Sequence, residues 1–92
     1  MKAVDLNKNN FWYNNGVVSS LDMSSGNHIH FTAVDKNYEL SVEAPGGKKS
    51  KLPVPNDGTY HAYEIQGVKG VTYKFTIDQP TETVPQMIVR VN

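Results

Sequence analysis

From Asn37 to Asp78 the chain writes strand, turn, strand, turn with little ambiguity, and this limits it to a sheet. Tyr38, Leu40, Val42 and Ala44 fall on one face, and Asn37, Glu39, Ser41 and Glu43 on the other. After Pro45-Gly46-Gly47, Ser50, Leu52 and Val54 alternate with Lys49, Lys51 and Pro53. A strict period of two is the mark of strands buried on one side. The connection also fixes the register. Proline suits the first position of a type I turn and glycine the left-handed position of the G1 bulge that closes a three-residue loop. Such a loop sets Leu40 opposite Leu52, Tyr38 opposite Val54 and Glu43 opposite Lys49. A loop of four would set Val42 against Lys51, an unfavourable pair.

The same logic extends in both directions. Val17 to Met23 reads as one strand with Val17, Ser19, Leu21 and Met23 in phase, and Ser24-Ser25-Gly26-Asn27 is a turn. His28 to Val34 places Ile29, Phe31 and Ala33 on one face. Thr59 to Gln66 is a strand whose apolar residues change phase, since Tyr60 and Ala62 are out of step with Tyr63 and Ile65; a bulge near Ala62 would reconcile them. Val71, Tyr73, Phe75 and Ile77 form the inward face of the next strand. Gln79-Pro80-Thr81 breaks the chain, and Met87 to Val91 is a last strand, with Pro85 pointing to an edge position. Residues 1–10 end in Asn7-Lys8-Asn9-Asn10 and read as a polar loop or loosely held arm. No helical period is visible. The expectation is one domain over residues 1–92, an all-β, antiparallel β-sandwich of seven to eight short strands.

Composition narrows the chemistry. Ninety-two residues form one thin core and leave no room for a deep catalytic cavity. Nine basic and nine acidic residues cancel, so there is no long-range attraction to nucleic acid or to an anionic membrane. No apolar run is long enough to span a bilayer as a helix, and the opening residues lack the apolar stretch of a signal peptide. With no cysteine there is no disulfide, thiolate metal site or cysteine nucleophile.

Three patterns together, Tyr38-x-Leu40-x-Val42-x-x-Pro45-x-Gly47, Asn56-Asp57-Gly58-Thr59-Tyr60 and Gly70-x-x-Tyr73-x-Phe75, resemble small bacterial immunoglobulin-like and fibronectin-like modules. The resemblance covers roughly residues 20–78. The antibody-type cysteine pair with its tryptophan is missing. The resemblance implies an immunoglobulin-like sandwich serving as a non-catalytic accessory, adhesive or virion-surface module.

Candidate sites are few. Trp12, the single tryptophan, is flanked by Phe11 and Tyr13 and by asparagines, and aromatic faces beside amides suit saccharides: rings stack on C–H faces and amides meet hydroxyls. The alternative is an early strand with alternate aromatics in the core. Tyr60 or Tyr63 could join the exposed surface. The expected ligand-binding set is Trp12, Tyr13, Asn14, Asn15 and Tyr60. His28 and His30 share a strand face at a spacing that can hold a metal, with His61 as a possible third ligand, but no carboxylate stands at matching spacing and the plainer reading is exposed polar residues. Asn56-Asp57-Gly58 lacks the acids of a calcium loop. The serines carry no nucleophile elbow, and Lys48, Lys49 and Lys51 read as a hairpin tip that blunts an edge strand. No catalytic residue, metal or cofactor is expected. The expected function is a binding module outside the cell or on its surface, whose partner is a polysaccharide or cell-surface glycan. The alternative is a structural or decorating protein, for example of a phage virion, that joins a protein assembly through a sheet face or edge.

Overall fold

The computed structural model describes residues 1–79 and 84–92. Ten strands form two five-stranded sheets: β1 (Lys2–Asn7), β2 (Asn10–Tyr13), β3 (Gly16–Val17), β4 (Ser20–Met23), β5 (His28–Ala33), β6 (Tyr38–Glu43), β7 (Lys49–Val54), β8 (His61–Glu64), β9 (Thr72–Ile77) and β10 (Gln86–Val91). Sheet A has the order β3-β2-β1-β5-β8 and sheet B the order β4-β10-β9-β6-β7. The described residues contain no helix. The all-β, sandwich-like build agrees with the expectation. The strand count does not, and neither does the purely antiparallel pairing, because β1 runs parallel to β5 and β4 parallel to β10.

The inward residues of both sheets form one core. Phe31 of sheet A meets Phe11 at 6.3 Å and, across the layers, Phe75 of sheet B at 5.2 Å between ring centroids. Val4, Leu6, Ile29, Leu40, Val54, Ile65, Ile77, Met87 and Val89 are fully enclosed around them. No polar or charged residue among those described is buried. The core is therefore held by apolar burial, at about 25 cal/mol per Å², without ion pairs to offset desolvation.

The β6–β7 hairpin has the register derived from its loop: Leu40 pairs with Leu52, Tyr38 with Val54 and Glu43 with Lys49. The turn type differs. Gly47 donates to the Ala44 carbonyl at 3.1 Å, and Gly46 as well as Gly47 has a positive φ, 85° and 81°. A left-handed third residue after proline marks a type II turn rather than type I.

Four further expectations are corrected. Residues 1–10 are not a loose arm, since β1 is the middle strand of sheet A. Val17 to Met23 is two strands. Val18 still donates to Phe11 of sheet A at 2.9 Å, while the carbonyl of Ser19 already accepts from Ile88 of sheet B at 2.9 Å, so the chain changes sheets within one peptide step. Leu21 and Met23 are buried as expected, whereas Val17 is exposed. The β8 segment has no bulge. The β5–β8 register runs unbroken from Phe31 opposite His61 to His28 opposite Glu64, and Tyr60 and Ala62 simply face outward while Tyr63 and Ile65 face in. Finally, β10 lies between β9 and β4 rather than at an edge. Pro85 precedes the strand, so its missing N–H falls outside the ladder, and its carbonyl still accepts from Ile77 at 3.0 Å. The proposed break at Pro80 and Thr81 lies outside the described residues.

Candidate binding face

The outer face of sheet A is built by two successive two-residue hairpins. Lys8 and Asn9 have φ of 53° and 58°, and Asn14 and Asn15 of 52° and 64°. Positive φ at both central residues is the type I′ geometry, which asparagine tolerates well. Lys8 tolerates it less well, and its turn is tied down. Its backbone N–H donates to Asp35 at 3.0 Å, the Asn9 N–H donates to the Tyr38 hydroxyl at 3.1 Å, and that hydroxyl donates to Asp35 at 2.7 Å. The Tyr38 bond holds the Asp35 carboxyl below its ordinary range. Burial, reinforced by Asp35, pushes the Tyr38 hydroxyl up to about 12.

With the turns fixed, alternation decides where the aromatics go. Phe11 enters the core at 1% exposure. Tyr13, in the same phase, packs against the core edge, and the Lys2 ammonium lies 4.9 Å from its ring centroid. Trp12 faces outward, half-buried, and its Nε1–H donates to the Asn7 carbonyl at 2.8 Å. That bond pins the indole and leaves it in one orientation.

Backbone pairing then defines a row across the sheet. Val17 stands opposite Trp12, Trp12 opposite Asp5, and Asp5 opposite Thr32. The neighbouring row is Ala3, His30 and Ala62. Tyr60, one residue before β8, is 54% exposed and stacks on His30 with centroids 3.9 Å apart and planes within 1°. Glu64 stands opposite His28. Neighbouring strands are about 4.8 Å apart, so the Trp12 and Tyr60 positions are roughly 14 Å apart over three spacings.

Of the five residues singled out in the sequence, Trp12 and Tyr60 share this face. Tyr13 is turned to the other side of the sheet by the period of two, and Asn14 and Asn15 form the β2–β3 turn. The face adds Asp5, Thr32 and His30, which sequence reasoning did not connect with Trp12. The signal for Asp5 was present in the alternation Val4-Asp5-Leu6-Asn7 followed by a two-residue spacer before Asn10. His61 is in the inward phase of β8, and its Nε2 lies 3.2 Å from Asp57 Oδ2, away from His28 and His30. No group of three or more metal-ligating side chains converges among the described residues.

The outer face of sheet B has a different chemistry. Lys51 Nζ lies 2.6 Å from Asp78, Lys74 3.5 Å from Glu43 and Arg90 3.3 Å from Asp22. Ser41 donates to Asp78 at 2.7 Å and accepts from Lys51 at 2.8 Å. The hydrogen bond to Asp78 raises the Lys51 ammonium above its ordinary value. Burial works against the Asp78 charge, yet the bonds from Lys51 and Ser41 prevail and its carboxyl lies below the ordinary value. A depression of about 430 Å³ lies over Ser41, Glu43, Lys49, Lys51, Lys74 and Thr76. Lys51 and Lys74 are already engaged by carboxylates there, and a Lys51 held protonated cannot act as a base toward Ser41.

Compared with protein-family models, with curated proteins and with solved structures, the chain matches none.

Proposed function

We propose that the protein is a non-catalytic module that binds an extended saccharide across the outer face of sheet A, outside the cell or on its surface. The observation that carries this reading is the placement of two flat aromatic surfaces on one sheet face: the indole of Trp12, pinned through Nε1, and the exposed Tyr60 ring stacked on His30. Pyranose rings stack their C–H faces on such surfaces, and an indole already fixed in orientation loses little entropy when it is covered. Asp5, Thr32 and Asn7 lie between or beside the two platforms and provide acceptors and donors for hydroxyls. A non-catalytic role is supported by the state of Ser41, whose hydroxyl is committed to Asp78 and whose basic neighbour is held as an ammonium. The kinship we favour is with the immunoglobulin-like accessory modules that the sequence resembles. The two-layer all-β build supports it, and the parallel pairs β1–β5 and β4–β10 are this chain's departure from a purely antiparallel sandwich.

A glycan array followed by tryptophan fluorescence titration tests the reading. Trp12→Ala and Tyr60→Ala should each weaken binding about tenfold or more, as truncation of a central aromatic does, with the fold retained. Glycan binding that survives both substitutions would remove the platform from consideration.

A second reading, a structural protein that joins an assembly through a sheet edge, has one observation in its favour. On the edge strand β8, Ile65 donates to Asn27 at 2.9 Å, so the alternation of antiparallel bonding turns the backbone groups of Ala62 and Glu64 away from β5. An added strand could pair there.

A further inference from the structure

The charges on the outer face of sheet A are of one sign. Its outward positions are Val17 on β3, Asn10 and Trp12 on β2, Ala3, Asp5 and Asn7 on β1, His28, His30 and Thr32 on β5, and Ala62 and Glu64 on β8. None is lysine or arginine. Asp5 is exposed and forms no ion pair or side-chain hydrogen bond among the described residues. Among the described residues, exposed Glu64 accepts only from the Gln66 amide, at 2.7 Å. The nearby lysines are placed elsewhere: Lys2 lies on the inward phase against Tyr13, and Lys8 is at the hairpin turn.

Aromatic rings and carboxylates prefer the same partner. The faces of indole and phenol carry negative quadrupole potential that attracts a cation, and a carboxylate beside the ring adds to it. Asp5 stands directly opposite Trp12 on the adjacent strand, so their Cβ atoms are about 5 Å apart. One ammonium can lie over the indole face and against the carboxylate at once. Glu64 lies two strands away and about four residues along, roughly 16 Å from Asp5 by strand spacing and rise. The two acids would therefore meet different residues of a chain. The intervening groups, Ala3, Ala62 and Thr32, are small and leave room between the platforms.

We infer that the saccharide bound by this face is cationic: an oligomer of an amino sugar with free ammonium groups, in place of a neutral or N-acetylated glycan. This rests on the reading of the face as a saccharide platform. The sugar rings of the oligomer stack on Trp12 and Tyr60, and Asp5 and Glu64 select for its ammonium groups. Both acids are exposed, so the selection is modest and salt-sensitive.

The test titrates the full chain, by tryptophan fluorescence and by calorimetry, with the tetramers of glucosamine, N-acetylglucosamine and glucose. At low ionic strength the glucosamine tetramer should bind about tenfold more tightly than the other two, the sum expected of one exposed cation–π contact and one exposed ion pair. Asp5→Asn, which retains size and a hydrogen-bonding amide at an exposed position, should weaken the glucosamine tetramer more than the neutral tetramers and so remove most of that preference. Glu64→Gln should reduce it in part, and an ionic strength of about 0.15 M should shrink it. Equal binding of all three, or tighter binding of a neutral one, overturns the cationic inference and leaves the saccharide reading intact. A preference left undiminished by Asp5→Asn and Glu64→Gln together also overturns it. Failure of every tetramer to bind to folded protein overturns the saccharide reading and the inference together.

Discussion

The two outer faces are both the wet sides of alternating strands, and they use their polar residues in opposite ways. On sheet B, Lys51, Lys74 and Arg90 each meet a carboxylate within 3.5 Å, and Ser41 joins the Lys51–Asp78 pair. On sheet A the two carboxylates have no cation among the described residues, one tryptophan is held in place by a carbonyl, and a tyrosine lies exposed on a histidine. A face most of whose charges are paired has less to offer a partner, because a ligand must first break those pairs; Glu39 and Lys49 are the exposed exceptions there. A face whose acids are in no ion pair among the described residues and whose aromatics are fixed offers interactions at little rearrangement cost. The contrast is what supports the proposal that sheet A, rather than sheet B, meets a partner.

The largest expected effect separates the two sides of a single strand. Phe11→Ala removes a fully enclosed ring and should cost about 3–5 kcal/mol. Trp12→Ala, one residue on, should cost clearly less, about 2 kcal/mol or below, because the indole packs on the sheet's outside and loses one hydrogen bond. Urea denaturation of both variants compares them. A Trp12 loss as large as that of Phe11 would make the tryptophan a structural residue and end the contrast between the faces.

Alkali should act on the support of sheet A's first hairpin. The folded-state value of Tyr38 is raised to about 12 from an ordinary 10.0. A raised value means that its contribution is fully present below pH 10 and is lost as the pH rises toward 12. Tyr63 is shifted in the same direction. Melting curves between pH 9 and 12 should show a decline that Tyr38→Phe makes shallower. An unchanged slope would detach Tyr38 from the Lys8-Asn9 turn.

Acid should act on sheet B. Asp78 is depressed below its ordinary 3.8, so its contribution is present above that value and is lost as the pH falls through the lower folded-state value. Asp35 and Asp57 share the direction. Lys51→Ala should cost little near neutrality, as loss of an exposed pair does, and should flatten part of the acid limb of the melting-temperature profile. If Lys51→Ala left that limb unchanged, the sheet B network would be ornamental.

The smallest expected effect is on sheet A again. Asp5→Asn should change stability by no more than about 0.5 kcal/mol, since no side chain among the described residues bonds to it. A marked gain would show that the uncommitted carboxylate is itself costly to the free protein, and a marked loss that it has a structural partner.

Much of this fold is legible in the sequence where the information is local. The hairpin between Tyr38 and Val54 is closed by a short loop, so one set of turn residues and one alternation fix both its faces and its register. The inward residues of β5 and β9 follow from alternation in the same way. The aromatic pair of the candidate face was half legible. Trp12 and Tyr60 were singled out, but the step from Trp12 to Tyr13 reverses the face, and only the flanking turns reveal which of the two is outside.

Pairing between distant segments was not legible, and there the physical reason is plain. Alternation records which side of a strand is buried but carries no trace of the strand lying next to it. Lys2 to Asn7 became the centre of sheet A by pairing in parallel with β5, more than twenty residues away. Val17 to Met23 shows one unbroken pattern, yet it serves two sheets because Ser19 bonds to Ile88. Composition and period by themselves determined an all-β sandwich with these inward residues. Tertiary structure alone decided that Asp5 lies beside Trp12, that His30 lies under Tyr60 and that no lysine or arginine stands at the described outward positions of sheet A, because contacts between strands depend on burying the whole core at once and not on any one segment's preference.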